Sequence, residues 1–148
     1  MTYCYDYPHP AVATDIVVFS VRDGTRHVLL IERAAEPFAG CWALPGGFVE
    51  IDEDLADAAR RELYEETGLT CTTLEQLHAF GEPRRDPRER VISIAYVGMV
   101  EAGSGAPRAA SDAAAARWFD LGALPPLAFD HAEMITLALA RVTSTDAG

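Results

Sequence analysis

The sequence predicts an α/β protein, a three-layer α/β/α sandwich in which a mixed central sheet lies between two helices. Runs rich in β-branched and aromatic residues predict the strands, and they cover residues 11–21, 27–32, 72–80, 91–100 and 117–120. Two other segments repeat apolar residues at helical spacing, so each would bury one face against the sheet. The repeats are Leu55, Ala59 and Leu63 in the first segment, and Met134, Ile135, Ala138, Leu139 and Val142 in the second.

Length, composition and charge exclude several classes of function. With 148 residues, 49% hydrophobic and 24% charged, the chain has the size and composition of one globular domain. Its net charge of −11 argues against a nucleic-acid polymer as partner, because that affinity rests on Lys and Arg neutralising phosphates. The longest apolar run, residues 91–100, is too short to cross a bilayer, and the first ten residues do not resemble a secretory signal. We therefore expect a cytoplasmic protein that does not contact membranes.

The first ten residues are predicted to form an extended arm ahead of a single domain at residues 11–143, with a frayed tail at residues 144–148. Tyr3, Tyr5 and Tyr7 alternate along the arm before two prolines. Two interpretations stay open. The arm is either an edge strand packed on its own domain or a segment that lies across the partner in a homodimer.

The loop between the second strand and the first helix carries candidate binding residues, because loops that join a rigid sheet to a site often do. Gly46 and Gly47 allow phosphate to approach the backbone closely. Phe38 and Trp42 are either core residues or a wall for a flat base or sugar.

The first helix concentrates negative charge. At helical spacing Glu62, Glu65 and Glu66 project from one side, where they repel each other unless hard divalent cations lie between them. The expected helix begins at an Asp52 N-cap and ends at a left-handed Gly68.

The spacing of these residues is specific. Gly47 is followed after five residues by Glu53 and, after seven more, by the run RELYEETGL at residues 61–69. This pattern resembles the signature box of the Nudix hydrolases, with every fixed position present. The resemblance implies the same three-layer fold and metal-dependent displacement at the phosphorus of a phosphoanhydride. It also implies that Glu62, Glu65 and Glu66 bind Mg²⁺, with Mn²⁺ as a substitute.

Arg61 and Glu53 complete the expected catalytic group. An arginine does not bind a cation usefully, so we expect Arg61 to pair with Glu53 and to fix the loop against the helix. Glu53 would then be structural, although a role as general base or outer ligand stays open. Nudix enzymes differ in where the base lies, and Glu53, Glu101 and Asp112 all compete for it here.

A second charged cluster follows the third predicted strand. Four of the twelve basic residues lie within seven positions, Arg84, Arg85, Arg88 and Arg90. They belong either to a solvated loop, with Asp86 and Glu89 as counter-ions, or to a site that grips phosphate or ribose.

The segments around the box resemble the branch of the Nudix family that includes the ADP-ribose pyrophosphatases. That resemblance implies hydrolysis of ADP-ribose to AMP and ribose 5-phosphate, with Arg33, Arg84, Arg85 and Arg88 as candidates for substrate contact. Two alternatives stay open: a pyrophosphohydrolase of nucleoside triphosphates or oxidised nucleotides, and a non-catalytic ADP-ribose-sensing module. Sensing modules of this kind precede a DNA-binding domain, for which we expect no room in this chain.

Overall fold

The computed structural model describes residues 2–100, 106–108 and 113–146, without the side chains of residues 144–146. Glu101 and Asp112, two of the candidate bases, lie outside the described residues. Within these ranges the chain forms seven strands and two helices. In order they are β1 (Ala11–Arg22), β2 (Thr25–Arg33), β3 (Trp42–Ala43), β4 (Gly46–Phe48), α1 (Leu55–Thr67), β5 (Thr73–Phe80), β6 (Val91–Met99), β7 (Ala113–Asp120) and α2 (His131–Asp146).

The strands form one mixed sheet around β1. On one side β1 runs parallel to β6 over nine residue pairs, from Ala11↔Val91 to Phe19↔Met99. On its other side β1 pairs antiparallel with β2 through a hairpin and, nearer its beginning, with β4. Strand β5 pairs antiparallel with β6, and β3 and β7 both pair with β2. The short β4 therefore joins the sheet directly before α1.

The sheet is buried on both faces, which gives the predicted three layers. Side chains alternate between the faces of a strand. Accordingly Ile16 and Val18 pack in the cluster that contains Leu63 of α1, whereas Val17 and Phe19 pack in the cluster that contains Met134 of α2. All four β1 side chains are completely buried. The α/β sandwich with a mixed sheet is therefore confirmed.

The two ends of α1 were predicted with unequal success. Gly68 has φ +75° and its N–H donates to the carbonyl of Tyr64 at 2.8 Å, as the left-handed cap requires. The N-cap is Asp54, whose carboxylate accepts the N–H of Leu55 at 2.7 Å, and the prediction of Asp52 was wrong. The helix starts later because the Glu53 N–H donates to the Glu50 carbonyl, which closes a turn ahead of it.

The arm at residues 2–10 forms no strand, so the edge-strand interpretation is wrong. Tyr3, Tyr5 and Tyr7 are 56%, 54% and 71% exposed. The rings of Tyr5 and Tyr7 stack on His9 of the same arm, with centroids 3.7 and 5.1 Å away. At the other end α2 continues to Asp146. Of the helices in the described ranges, neither has the length and apolar character that crossing a bilayer requires.

Candidate active site

A cleft runs between the acidic side of α1, strand β4 and the loop after β5. Its inner cavity has a volume of about 80 Å³, and its outer cavity has a volume of about 580 Å³. Seven residues line both cavities, so the two form one continuous space: Ile31, Arg33, Gly46, Gly47, Phe48, Glu66 and Arg88.

Arg61 joins α1 to the loop before it. Its Nε and Nη2 donate to the two oxygens of Glu53 at 2.6 and 2.9 Å, and Nη2 also donates to the Phe48 carbonyl at 3.2 Å. The expected Arg61–Glu53 pair is therefore formed. The hydrogen bond from Arg61 lowers the pKa of Glu53, and the same bond raises the pKa of Arg61. Glu53 lines neither cavity of the cleft, which suits a structural role.

Glu62 faces the cleft across Gly47. Its carboxylate accepts from Nη1 of Arg61 at 2.8 Å, and only 16% of its side chain is exposed. A Cβ atom at Gly47 would lie 2.6 Å from the Glu62 carboxylate carbon, so a side chain there would displace this carboxylate. Burial raises the pKa of Glu62, although Arg61 opposes the shift.

Glu66 lies deeper in the same cleft. Its Oε1 accepts the N–H of Gly46 at 2.7 Å. Burial raises the pKa of Glu66 to about 8, and the negative charges of Glu62 and Asp15 add to the shift. A nearby cation would stabilise the ionised form of a carboxylate that has other carboxylates beside it.

The third predicted ligand is set apart from the other two. Glu65 is 48% exposed, contacts Nη1 of Arg61 at 3.3 Å, and lines neither cavity. In the described part of the chain, no three His, Cys, Asp or Glu side chains are grouped closely enough to hold a metal ion. Like charges at this helical spacing repel. Other groups offset that repulsion: Nη1 of Arg61 contacts both Glu62 and Glu65, and the Gly46 N–H donates to Glu66. The oxygen donors of Glu62 and Glu66, two carboxylates on one cleft, nevertheless match the ligand preference of Mg²⁺ and Mn²⁺.

Two arginines of the charged loop point into the inner cavity, and each is already neutralised. The Arg85 side chain is 4% exposed and donates to both oxygens of Asp130 at 2.8 and 2.6 Å. Arg88 donates in the same way to Asp86 at 3.0 and 2.7 Å. Arg84 is exposed and lines neither cavity. The interpretation of this cluster as a solvated loop therefore fails for Arg85.

Arg33 differs from these arginines. Its Nε donates to the Pro37 carbonyl at 2.7 Å, and its guanidinium lies over the ring of Phe129 at 5.0 Å. Among the described residues, no carboxylate lies within ion-pair distance of it. Burial, followed by the charge of Arg88, lowers the pKa of Arg33. The cleft thus has one guanidinium whose charge is not matched by a carboxylate.

Aromatic rings form the rim of the cleft, but neither Phe38 nor Trp42 is one of them. Phe38 lines neither cavity and instead packs edge-on against Phe129, 4.8 Å between centroids. Phe48 and Phe129 line the inner cavity, and the guanidinium of Arg88 lies 5.5 and 5.7 Å from their centroids. Trp42 packs in the core, edge-on to Phe119. Phe48 directly follows the two glycines, and this position was the sequence signal that could have identified it as a cleft residue.

A buried polar group that was not predicted from the sequence borders the inner cavity. His131 accepts the N–H of Leu44 on Nδ1 at 3.0 Å, and its Nε2 lies 3.4 Å from Oδ1 of Asp15. The hydroxyl of Ser93 donates to Oδ2 of Asp15. Burial lowers the pKa of His131, which keeps the ring neutral. Polar residues inside the apolar runs of two strands, Asp15 and Ser93, were a signal that could have been used.

The fold and the carboxylate-lined cleft define a hydrolase that acts on phosphoanhydrides. The chain belongs to the Nudix family, since the NUDIX domain model matches residues 10–138. It is 45% identical over 129 residues to an ADP-ribose pyrophosphatase of Methanocaldococcus jannaschii. The aligned segment covers 87% of this chain and 73% of that relative. It is 36% identical over 143 residues to the ADPR responsive transcriptional repressor NtrR of Acinetobacter baylyi, covering 94% of this chain and 57% of the repressor.

Solved structures agree with this assignment. The NUDIX domain of Shewanella oneidensis NrtR, crystallised with ADP ribose, matches with a TM-score of 0.86 at 32% identity, covering 93% of this chain and 94% of that one. A MutT/nudix family protein from Enterococcus faecalis also gives a TM-score of 0.86 at 32% identity, covering 97% of this chain and 66% of that one.

The position of Arg61 generates a test of the loop. We expect Arg61→Ala to release the turn before α1, because five hydrogen bonds to the loop and helix are lost. In hydrogen exchange followed by mass spectrometry, peptides that contain Glu50 and Glu53 should exchange faster. The matched control is Arg60→Ala, since Arg60 is exposed and forms an ion pair with Asp57 at 3.8 Å. Equal exchange in the two variants would contradict the assigned role.

Proposed function

We propose that this protein is a divalent-metal-dependent hydrolase that cleaves ADP-ribose to AMP and ribose 5-phosphate. The observation that carries the proposal is the cleft in which Glu62 and Glu66 stand beside the uncompensated guanidinium of Arg33. The similarity to an ADP-ribose pyrophosphatase and to an ADP-ribose-bound Nudix domain supports the choice of substrate.

The carboxylates of Glu62, Glu65 and Glu66 are proposed to hold Mg²⁺, with Mn²⁺ as a substitute. The ion supplies charge neutralisation at the phosphate oxygens and acidifies a water molecule. Burial of Glu62 and Glu66 on one cleft supports this assignment. Burial raises both pKa values, and a bound cation would stabilise the two ionised carboxylates. Glu65, at the exposed edge of the same side of α1, would have to turn from Arg61 to join them.

The other residues of the chain position the reaction. Arg33 is proposed to bind a phosphate of the anhydride, because a guanidinium recognises phosphate oxygens in a bidentate manner. Arg61 and Glu53 hold the loop that carries Phe48 against α1. Water then attacks one phosphorus atom, the bond to the bridging oxygen breaks, and AMP and ribose 5-phosphate leave. Because Arg61 occupies Glu53, the base is sought first at Glu101 and Asp112.

The charge of the cleft favours a diphosphate over a triphosphate. Asp130 and Asp86 already neutralise Arg85 and Arg88, so among the described residues that line the cleft Arg33 is the arginine left for an additional anion. A triphosphate would add negative charge that these described cleft residues do not balance. Similarity to NtrR gives a second candidate, an ADP-ribose-sensing module. The complete set of box carboxylates favours turnover instead.

A substrate panel tests the function. With Mg²⁺, ADP-ribose should be hydrolysed with a higher kcat/KM than ATP or 8-oxo-dGTP, and EDTA should abolish the activity. Glu66→Gln should lower kcat by at least about 100-fold, the scale of losing an essential electrostatic group. Glu75→Gln on β5, outside the cleft, is the control. A preference for a triphosphate would reject the substrate, and unchanged kcat in Glu66→Gln at saturating Mg²⁺ would reject the site.

We also infer a homodimer and a cytoplasmic location. Three exposed tyrosines on one arm, two of which stack on His9 of the same arm, favour contact with a second copy of the chain. Cys4, Cys41 and Cys71 are all free, which suits a reducing compartment.

Light scattering after size-exclusion chromatography tests the dimer. The wild-type mass should be twice that of one chain, and a triple change of Tyr3, Tyr5 and Tyr7 to Ser should give the monomer. Tyr64→Ser is the matched control, because Tyr64 is an exposed tyrosine on α1. A monomeric wild type, or a triple variant that still dimerises, would refute the role of the arm.

A further inference from the structure

The inner end of the cleft is lined by a buried carboxylate. Only 10% of the Asp15 side chain is exposed, and it borders the inner cavity but not the outer one. Its Oδ2 accepts the Ser93 hydroxyl. Its Oδ1 lies 3.4 Å from Nε2 of His131, which is too long for a strong hydrogen bond. This second oxygen therefore retains capacity to accept hydrogen bonds from a ligand.

The surroundings of Asp15 fix where that carboxylate points. Because Nδ1 of His131 accepts the Leu44 N–H, the proton of the neutral ring is on Nε2, which faces Asp15. Ser93 holds the other oxygen from β6. Both contacts come from elements of the sheet and its covering helix, so the carboxylate is held by rigid parts of the fold.

In the part of the chain that the structure describes, no arginine lies within ion-pair distance of Asp15. Arg85, which borders only the inner cavity, is bound in bidentate fashion by Asp130. Arg88 is bound likewise by Asp86. Arg33, the uncompensated guanidinium, borders both cavities and so lies at their junction. A phosphate bound by Arg33 therefore places the next group of the substrate against Asp15.

The size of the inner cavity limits that group. About 80 Å³ is well below the roughly 300 Å³ at the lower end of ordinary ligand pockets. It suits part of a small sugar better than a fused bicyclic base. A carboxylate attracts hydroxyl donors through charge-assisted hydrogen bonds and repels a phosphate.

We propose that Asp15 is a specificity-determining residue that accepts hydrogen bonds from the sugar hydroxyls beyond the diphosphate, so that the inner cavity selects a hydroxyl-bearing group and excludes a terminal phosphate. Ser93 and His131 are positioning residues for this carboxylate. The inference rests on the proposed function, because it concerns the group attached to the diphosphate that is cleaved.

Calorimetric titration of the purified protein in MgCl₂ tests the inference without turnover. The probes are ribose 5-phosphate and inorganic phosphate. Wild type should bind ribose 5-phosphate more tightly, and Asp15→Asn should weaken that binding by about 10-fold or more, as expected for a hydrogen bond to a charged group, without weakening phosphate binding. Ser93→Ala, which keeps the carboxylate but removes the hydroxyl that orients it, should weaken ribose 5-phosphate binding by less than Asp15→Asn does. Asp57→Asn, an exposed carboxylate on α1, controls for net charge.

Three results would overturn the inference. Wild type could bind inorganic phosphate as tightly as ribose 5-phosphate, a comparison that needs no variant to fold. Asp15→Asn could keep its affinity for ribose 5-phosphate. Ser93→Ala and Asp15→Asn could lose binding of both probes equally as their melting temperatures fall, which would make the group purely structural.

Kinetics separate this inference from the proposed function. In Asp15→Asn the ratio of kcat/KM for ADP-ribose to that for ATP should fall by about 10-fold or more, mainly through KM for ADP-ribose. If wild type does not hydrolyse ADP-ribose but its affinity for ribose 5-phosphate still depends on Asp15, the proposed function fails and the inference stands. If ADP-ribose is hydrolysed and the ratio does not change, the inference alone fails.

Discussion

The crowding of carboxylates around Arg61 is the constraint on which the rest of the site depends. This one guanidinium contacts Glu53, Glu62 and Glu65 and also the Phe48 carbonyl. Without a cation at this position, the acidic side of α1 and the acidic loop before it would repel each other. Arg61 therefore lets the loop, β4 and the helix pack as one unit. The opposite side of α1 contributes Leu63 to the core and fixes that unit on the sheet.

The cleft that results separates charges by position. Carboxylates on α1 line its outer part, and Arg33 stands at the junction of the cavities. Arg88 at the same junction is neutralised by Asp86, Arg85 in the inner part is neutralised by Asp130, and Asp15 lines the inner part alone. In a protein of net charge −11, this arrangement restricts attraction of anions to one short section of the cleft. A substrate with phosphates in its middle and neutral groups at its ends fits that pattern.

Local sequence signals predicted most of the fold. The long strands and both helices follow from hydrophobic periodicity, and the end of α1 follows from the conformational freedom of Gly68. The short strands β3 and β4 were missed because two or three residues carry no periodicity. Strand β7 begins in an alanine-rich segment with low strand propensity, and its pairing with β2 overrides that preference. The arm failed as an edge strand because alternation alone does not supply a pairing partner.

The site was predicted where its contacts are local in sequence. The Arg61–Glu53 pair spans eight residues and follows from helical geometry and the spacing of the box. The pairs that define the inner cavity join distant residues: Asp15 and Ser93 are 78 apart, and Arg85 and Asp130 are 45 apart. No periodicity links such positions, so the pairing of Arg85 with Asp130 was not predicted and Asp15 was overlooked. Whether a charged side chain is available for a ligand depends on its partner, which only the tertiary structure provides.

The most direct test of the account is Mn²⁺ binding measured by electron paramagnetic resonance in the presence of AMP. Mn²⁺ is the probe because it takes the same oxygen donors as Mg²⁺. The account predicts saturable binding by the wild type and at least a 10-fold weaker affinity when Glu62 and Glu66 are both changed to Gln, with Glu75→Gln unchanged. Equal affinity in the wild type and the double variant would contradict the claim that this side of α1 holds the metal.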